Sequence, residues 1–476
     1  MAPRTTISVI SVPSWIVFIR SLQANLYCKP TIMANQPNLV FVFSDRQRFD
    51  TLEAYGNDYV KAPNLNALAK ESIVFKNAYV TQAVCAPARA SIMTGLYPHA
   101  AGMPRNKLVM PEEVETIANM VSDNYRKAYF GKWHLGHHPE TLPQKNGFDT
   151  YFGIPYSNDM NHPDNKGKPP GRAPGMDALW KDPGSTLTKW NTPLMENEKI
   201  VELPVDQRTV TRRYTQKAID FMTKNQNKPF FVYLPHSMPH IPLYVPDEVR
   251  DPNHLNAYTN TIEHIDAEVG RLMDKVRELN LSKNTYVIYT TDNGPWLPFR
   301  HHGGSAGPLR DGKGTTFEGG QRVPCVMWAP GRIPAGTECH ELMGTIDLLP
   351  TIAALTGTSL PADQKIDGLN ASDLLNKNAK SPRNEFLYYT SRGEIEGLRK
   401  GKWKLLVKKK RKPRNSGKNW KAPEPEILLF DLIKDMGEKT NLAKENPKTV
   451  KDLSARMNEL DSEITKNARM PWHKTK

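Results

Sequence analysis

Four short apolar runs, each ending in polar or charged residues, constrain the fold most. Asn38 to Phe43 shows no polar alternation and runs directly into Ser44-Asp45-Arg46-Gln47. A run of this kind describes a strand covered on both faces, as in a parallel sheet between helical layers. Phe230 to Leu234 ends at Pro235-His236, and Tyr286 to Tyr289 at Thr290-Thr291-Asp292-Asn293. The shorter Lys127 to Phe130 ends at Gly131-Lys132-Trp133-His134. Helical patterns alternate with these runs at Asn64 to Glu71, Val114 to Asn124, Val210 to Lys224 and Tyr258 to Leu279. The last carries Ile262, Ile265, Val269, Leu272 and Val276, an ordinary core stripe. The alternation predicts an α/β fold whose large, doubly wound, mostly parallel sheet is flanked by helices. Such sheets carry their sites at the C-terminal ends of the strands.

At 476 residues the chain exceeds one ordinary core. After about Asn376 its character changes. Phe386 to Tyr389, Trp403 to Val407 and Ile427 to Phe430 read as short strands, and Val450 to Ile464 as an amphipathic helix. The expected division is a leader at 1–32, a catalytic α/β domain at 33–376 and a small α+β domain at 377–476. Ser157 to Thr192 is rich in Pro, Gly, Asn and Asp and reads as a long loop, a length often tied to function. Thr345 to Leu355 reads as a helix closing the large domain. The basic stretch Lys408 to Arg414 reads as a hairpin loop, either solubilising or holding a polyanion near the site.

An apolar fraction of 38% with 24% charged residues excludes a disordered chain. The net charge of +14 suits a polyanionic partner, whether nucleic acid, anionic membrane or sulfated polysaccharide. Four cysteines exclude a disulfide scaffold and leave Cys325 and Cys339 as one candidate pair. Ile7 to Ile19 is too short to span a bilayer. It reads either as a signal-peptide core, giving a periplasmic or extracellular protein, or as sequence upstream of a true start at Met33.

Cys85-Ala86-Pro87-Ala88-Arg89, followed by Thr94-Gly95, forms a unit of its own. Pro87 suits a first helical turn and Gly95 a helix end. Cys85 then lies at a helix N-terminus, which favours an anion, and Arg89 points back toward it one turn later. A buried structural cysteine beside a surface arginine is the alternative reading. The stretch resembles the signature Cys-x-Pro-x-Arg…Thr-Gly of the formylglycine-dependent sulfatases, of the alkaline phosphatase superfamily. The branch it resembles is that of arylsulfatase A and N-acetylgalactosamine-6-sulfatase.

The resemblance implies hydrolysis of sulfate esters by formylglycine made from Cys85, with a formylglycine-generating enzyme as maturation partner. Gly131-Lys132-Trp133-His134-Leu135-Gly136 is similar to the second motif, making Lys132 a sulfate ligand and His134 the group that helps release sulfate. His236 becomes a sulfate ligand or general acid, and His240 a substrate contact. The glycine-rich Gly303 to Thr316 resembles the lysine-bearing loop, with Lys313 on the sulfate and leaving oxygen. His301, His302 and Arg310 flank it as candidate sugar contacts, a solvated surface role being the alternative. Asp45, Asp292 and Asn293 are hard oxygen ligands for Ca²⁺ or Mg²⁺. The family usually has a second aspartate after the first, where this chain has Arg46, a fixed cation that cannot bind a metal. The expected substrate is a sulfated carbohydrate, with no nucleic-acid partner and no membrane span. A phosphodiester or phosphonate hydrolase and an inactive polysaccharide-binding homologue are the alternatives.

Overall fold

The computed structural model describes residues 36–160, 174–183, 190–376, 379–410 and 421–473. The leader, part of the long loop and Arg411 to Arg414 of the basic stretch lie outside the described residues. Gln36–Lys476 forms one compact unit.

The strands, in chain order, are β1 (Asn38–Ser44), β2 (Ile73–Phe75), β3 (Ala78–Tyr79), β4 (Arg126–Phe130), β5 (Thr150–Gly153), β6 (Leu194–Glu196) and β7 (Lys199–Glu202). They continue with β8 (Phe230–Pro235), β9 (Thr285–Thr291), β10 (Arg322–Val323), β11 (Val326–Trp328), β12 (Thr337–Cys339) and β13 (Met343–Gly344). The main sheet has ten strands in the order β12-β2-β11-β9-β1-β8-β4-β5-β6-β7. Its middle, β9-β1-β8-β4-β5, is parallel throughout. Antiparallel pairs flank it on either side, and the outermost pair β2-β12 is parallel again.

β1 shows why these runs lack alternation. Val40 and Val42 enter one core with α1 (Pro63–Lys70), α2 (Val210–Asn225) and α3 (Ala257–Glu278). Leu39, Phe41 and Phe43 enter the opposite core, which holds Ala88, Ile92 and the helix Leu348–Thr356. Both faces are therefore apolar, and the doubly wound reading holds. The parallel middle brings the ends of β1, β4, β8 and β9 to one edge.

Three expectations change. The stretch Ser157 to Thr192, read as a loop, contains a helix at Pro174–Lys181. Val114 to Asn124 yields a helix only at Ile117–Met120, because Thr116 caps it in a box with Asn119 and Val121 already returns to extended backbone. Cys325 and Cys339 are both free. β2 lies between β11 and β12, which separates their strands by about 10 Å, too far for a disulfide.

The C-terminal part builds a separate antiparallel sheet of β14 (Glu385–Tyr389), β15 (Ile395–Lys400), β16 (Trp403–Lys408) and β17 (Glu426–Asp431), with the helix Pro447–Thr465 against it. It meets the rest of the chain through buried charge. Lys404 Nζ on β16 lies 2.8 Å from Glu318 Oε1 and 2.9 Å from Glu438 Oε1, all three wholly buried. Arg322 Nε holds the other Glu318 oxygen at 2.7 Å.

Asp367 offers a stability test. It accepts the Tyr97 N–H at 2.8 Å, and burial pushes its carboxyl up to about 6. The folded chain thus holds this proton more tightly than the unfolded one. The associated stability is full below about pH 4 and is lost as pH rises through about 6. Asp367→Asn should therefore raise the melting temperature by a few degrees at pH 8, about 1–2 kcal/mol, and leave it unchanged near pH 3.5. Parallel melting curves at the two pH values check this.

Candidate active site

Cys85 is the first residue of a ten-residue helix, Cys85–Thr94, whose side chains are all buried. Val84 precedes it in extended backbone, and Gly95 ends it in the left-handed region at φ 67°. Asn106 Oδ1 accepts the free Ala86 N–H at 3.1 Å. The helix places Cys85 at the sheet edge where Asp45, Lys132, His236 and Asp292 emerge.

Two glycines let the loops close on that point. A Cβ at Gly131 would lie 2.0 Å from Pro235 O, and φ there is 143°, so only glycine lets β4 turn across β8. Lys132 N then donates to Pro235 O at 2.9 Å. A Cβ at Gly294 would lie 1.8 Å from Gly319 O, and Gly294 N donates to Gly320 O at 3.1 Å. That contact ties Asp292-Asn293 to the loop bearing Lys313.

Lys313 Nζ lies 2.9 Å from Cys85 Sγ. Asp45 Oδ1 and Asn293 Nδ2 each lie 3.8 Å from the same sulfur. Burial and Asp45 push the thiol up, but Lys132, Lys313 and Arg46 outweigh them and bring it down to about 7. Burial and the neighbouring Arg46 likewise lower the Lys313 ammonium.

Arg89 does not touch Cys85. Its guanidinium donates to Asp292 Oδ2 at 2.9 Å, Asp45 Oδ2 at 2.8 Å and Lys132 O at 2.9 Å. Lys132 Nζ also goes to Asp45 Oδ2, at 2.6 Å. Both cations are thus committed to the carboxylates, and Lys313 is the cation on Cys85 Sγ. Arg89 is a positioning residue in this arrangement.

His134, His236, His240 and His302 are buried, and His301 is partly exposed. His236 has no hydrogen-bond partner on either ring nitrogen, and burial, with His264 nearby, takes it down to about 3. Burial and the cations Lys132 and Arg89 hold His134 well below its ordinary range, and its Nδ1 is unpartnered. His240 Nδ1 lies 2.6 Å from Ile241 O and Nε2 3.1 Å from Ser157 Oγ. The remaining candidates have other partners. His301 and His302 Nε2 lie 2.7 and 2.8 Å from Asp177 Oδ1. Arg310 donates to Glu438 O at 2.9 Å and covers the Phe317 ring.

A divalent cation fits the oxygen donors. Asp45, Asp292 and Asn293 are wholly buried, and Asn293 Oδ1 is an acceptor without a partner. The amide is fixed only by Nδ2, 2.7 Å from Asp292 Oδ1, and hard cations select such oxygens. His240 also groups with Asp45 and Cys85 within ligand range. Gln47 is excluded from the set, because its Oε1 already accepts from Ser44 Oγ at 2.7 Å and from the Tyr289 hydroxyl.

Sequence reasoning missed Trp296, which lies under the Arg46 guanidinium at 4.2 Å and near Lys313. Its position just past Asp292-Asn293-Gly294-Pro295 was the available signal. Ser157, 3.2 Å from Lys132 Nζ, opens the long loop and carried no signal of its own.

Fold and site together define a hydrolase class. A nucleophile position at a helix start faces an ammonium, neutral imidazoles and paired carboxylates on a parallel-sheet edge. The sulfatase family model matches residues 37–358, and the model for the C-terminal region of N-sulphoglucosamine sulphohydrolase matches 312–464. The chain is 36% identical to arylsulfatase G of Mus musculus over 364 residues, 72% of this chain and 69% of that protein. It is 35% identical to arylsulfatase A of Homo sapiens over 434 residues, 86% and 84% of the two chains. The solved structure of Ps i-CgsB in complex with k-i-k-neocarrahexaose matches at TM-score 0.75 and 28% identity, covering 92% of this chain and 94% of that one. The chain belongs to the sulfatase family, and it is an enzyme of sulfate ester hydrolysis.

Proposed function

We propose that the substrate is a sulfated carbohydrate and that the nucleophile is formylglycine made from Cys85 by a maturation enzyme, outside the cytoplasm. The observation that carries the reading is the Lys313 ammonium 2.9 Å from Sγ at the start of a buried helix. The neighbour bound to k-i-k-neocarrahexaose supports an oligosaccharide substrate. Among the described residues no helix is long and apolar enough to cross a membrane.

The hydrated aldehyde, once formed, supplies the oxygen nucleophile. Asp45, Asp292 and Asn293 would hold a divalent cation, which would supply positive charge to the sulfuryl group. Lys313, its affinity for a proton lowered, is suited to protonate the leaving alcohol. His134, neutral at physiological pH, is suited to take the proton whose removal releases sulfate. Neutral His236 lines the site without adding charge, so Lys313 and the paired Arg89 and Lys132 set the field on the sulfuryl oxygens.

Protein matured by a formylglycine-generating enzyme should hydrolyse sulfated oligosaccharides with kcat/KM at least about 100-fold above matched phosphodiesters, ~3 kcal/mol in the barrier. The reverse preference would make it a phosphodiester or phosphonate hydrolase. Binding of the oligosaccharide without turnover of any ester would make it a polysaccharide-binding homologue.

A further inference from the structure

Arg46 is 2% exposed, yet its Nε and Nη1 have no hydrogen-bond partner. Asp45 Oδ1, 3.7 Å from Nε, is too far for a hydrogen bond. Its Cζ lies 4.2 Å from the centre of the Trp296 ring, and Lys313 Nζ lies 5.0 Å from the same centre. Trp296 is partly exposed, so this pair of cations borders the way in from solvent. Asp45 Oδ1 lies 3.7 Å from the Arg46 Nε and 3.8 Å from Cys85 Sγ.

Leaving charged N–H groups buried without an acceptor is costly, so such a group calls for a partner. Charge balance points the same way. Four cations, Arg46, Arg89, Lys132 and Lys313, stand with two wholly buried carboxylates, Asp45 and Asp292, and the partly exposed Asp159 lies 3.9 Å from His240 Nε2. Arg89 and Lys132 are paired with those carboxylates. Arg46 and Lys313 remain, and a divalent cation at Asp45 would add to the excess. A sulfate monoester brings one negative charge, which Lys313 meets at the nucleophile. The second cation is unanswered by a monosulfated substrate.

We propose that Arg46, stacked on Trp296, forms a subsite for a second anionic substituent of the substrate, a further sulfate or a carboxylate on the sugar. The guanidinium has two unpartnered donors, Nε and Nη1, on different edges, so an acidic oxygen can take a charge-assisted bond from either, and stacking on the indole holds its plane. The subsite rests on the sulfated-carbohydrate reading and narrows it to sugars bearing two acidic groups.

The test compares a monosulfated monosaccharide with the same sugar carrying a second sulfate or a carboxylate. In matured protein, Arg46→Gln should lower kcat/KM for the doubly acidic sugar by about 10- to 100-fold, the loss of one charge-assisted contact. The loss should be selective, so that the kcat/KM ratio of the doubly acidic to the monosulfated sugar falls by that factor, because any effect of Arg46 on the Lys313 ammonium is common to both substrates. Arg46→Lys, which keeps the charge without the planar, stacked guanidinium, should fall between, and it decides the matter should Arg46→Gln fail to fold. Calorimetry on Cys85→Ala protein, which cannot turn over, should show the same selective weakening. Equal losses on both sugars would place Arg46 on the scissile sulfate and overturn the subsite, as would no loss on either. If matured protein hydrolyses no sulfate ester but the selective weakening in calorimetry persists, the sulfatase reading fails and the subsite stands. A carboxylate preferred over a sulfate, or the converse, identifies the second group.

Discussion

Cys85→Ala should lower sulfate ester turnover by at least about 10⁴-fold in protein otherwise fully matured, because no other group occupies the nucleophile position. The sulfur lies within 3.8 Å of Lys313, Asp45 and Asn293, and no described group other than these three hydrogen-bonds to it. Its removal leaves the ion pairs of Asp45 with Arg89 and Lys132 in place, so the melting temperature should move by only about 2 °C. Peptide mass spectrometry of the parent protein should find the aldehyde or its hydrate at residue 85. Substantial turnover in the alanine variant would remove Cys85 from the mechanism.

Lys404→Met should cost about 3–5 kcal/mol of stability, the largest effect expected outside the active site. The substitution preserves bulk but leaves Glu318 and Glu438 buried against each other. Glu318 is driven up by burial, yet Lys404, Arg322 and Arg399 hold it down at about 2. Without Lys404 one of the two carboxyls must take a proton. Denaturation at pH 7 and pH 5 measures the loss, which should shrink at the lower pH. Replacing all three residues by apolar ones should recover much of it, since a buried ion network is often neutral against well-packed hydrophobes. A Lys404→Met protein as stable as its parent would show that the network contributes little.

The parallel middle of the sheet was legible because β1, β8 and β9 are apolar on both faces, a pattern that does not depend on partners far along the chain. The site was legible for the same reason, since each strand hands its polar residues to one edge. Strands of two or three residues, such as β2, β11 and β12, gave no period to read. Their pairing rests on contacts such as Tyr55 hydroxyl to Cys325 O at 2.8 Å, across most of the chain. The role of Arg89 was half legible. Its direction followed from helix geometry, but its commitment to Asp45 and Asp292 needed the fold. Arg46 stood out in sequence only as a cation where an acid was expected. Its burial, and its place over Trp296, came from packing that no local pattern carries.

The Lys313 loop is fastened at two places, at Gly294 by the strand edge and at Glu318 by a lysine from β16. The terminal sheet is therefore a jig for the Lys313 ammonium as well as an appendage. Residues 318, 404 and 438 form a shared key, and exchanging the tail of this chain for that of a relative would work only if the donor brings a matching lysine and a matching acid. Where the key is mismatched, the graft should still complete its own sheet while the loop loses its register. Tail diversity among such enzymes is thus expected to be inherited in blocks that carry the glycine-rich loop with them, and the loop's chemistry travels with a surface far from the bond it breaks.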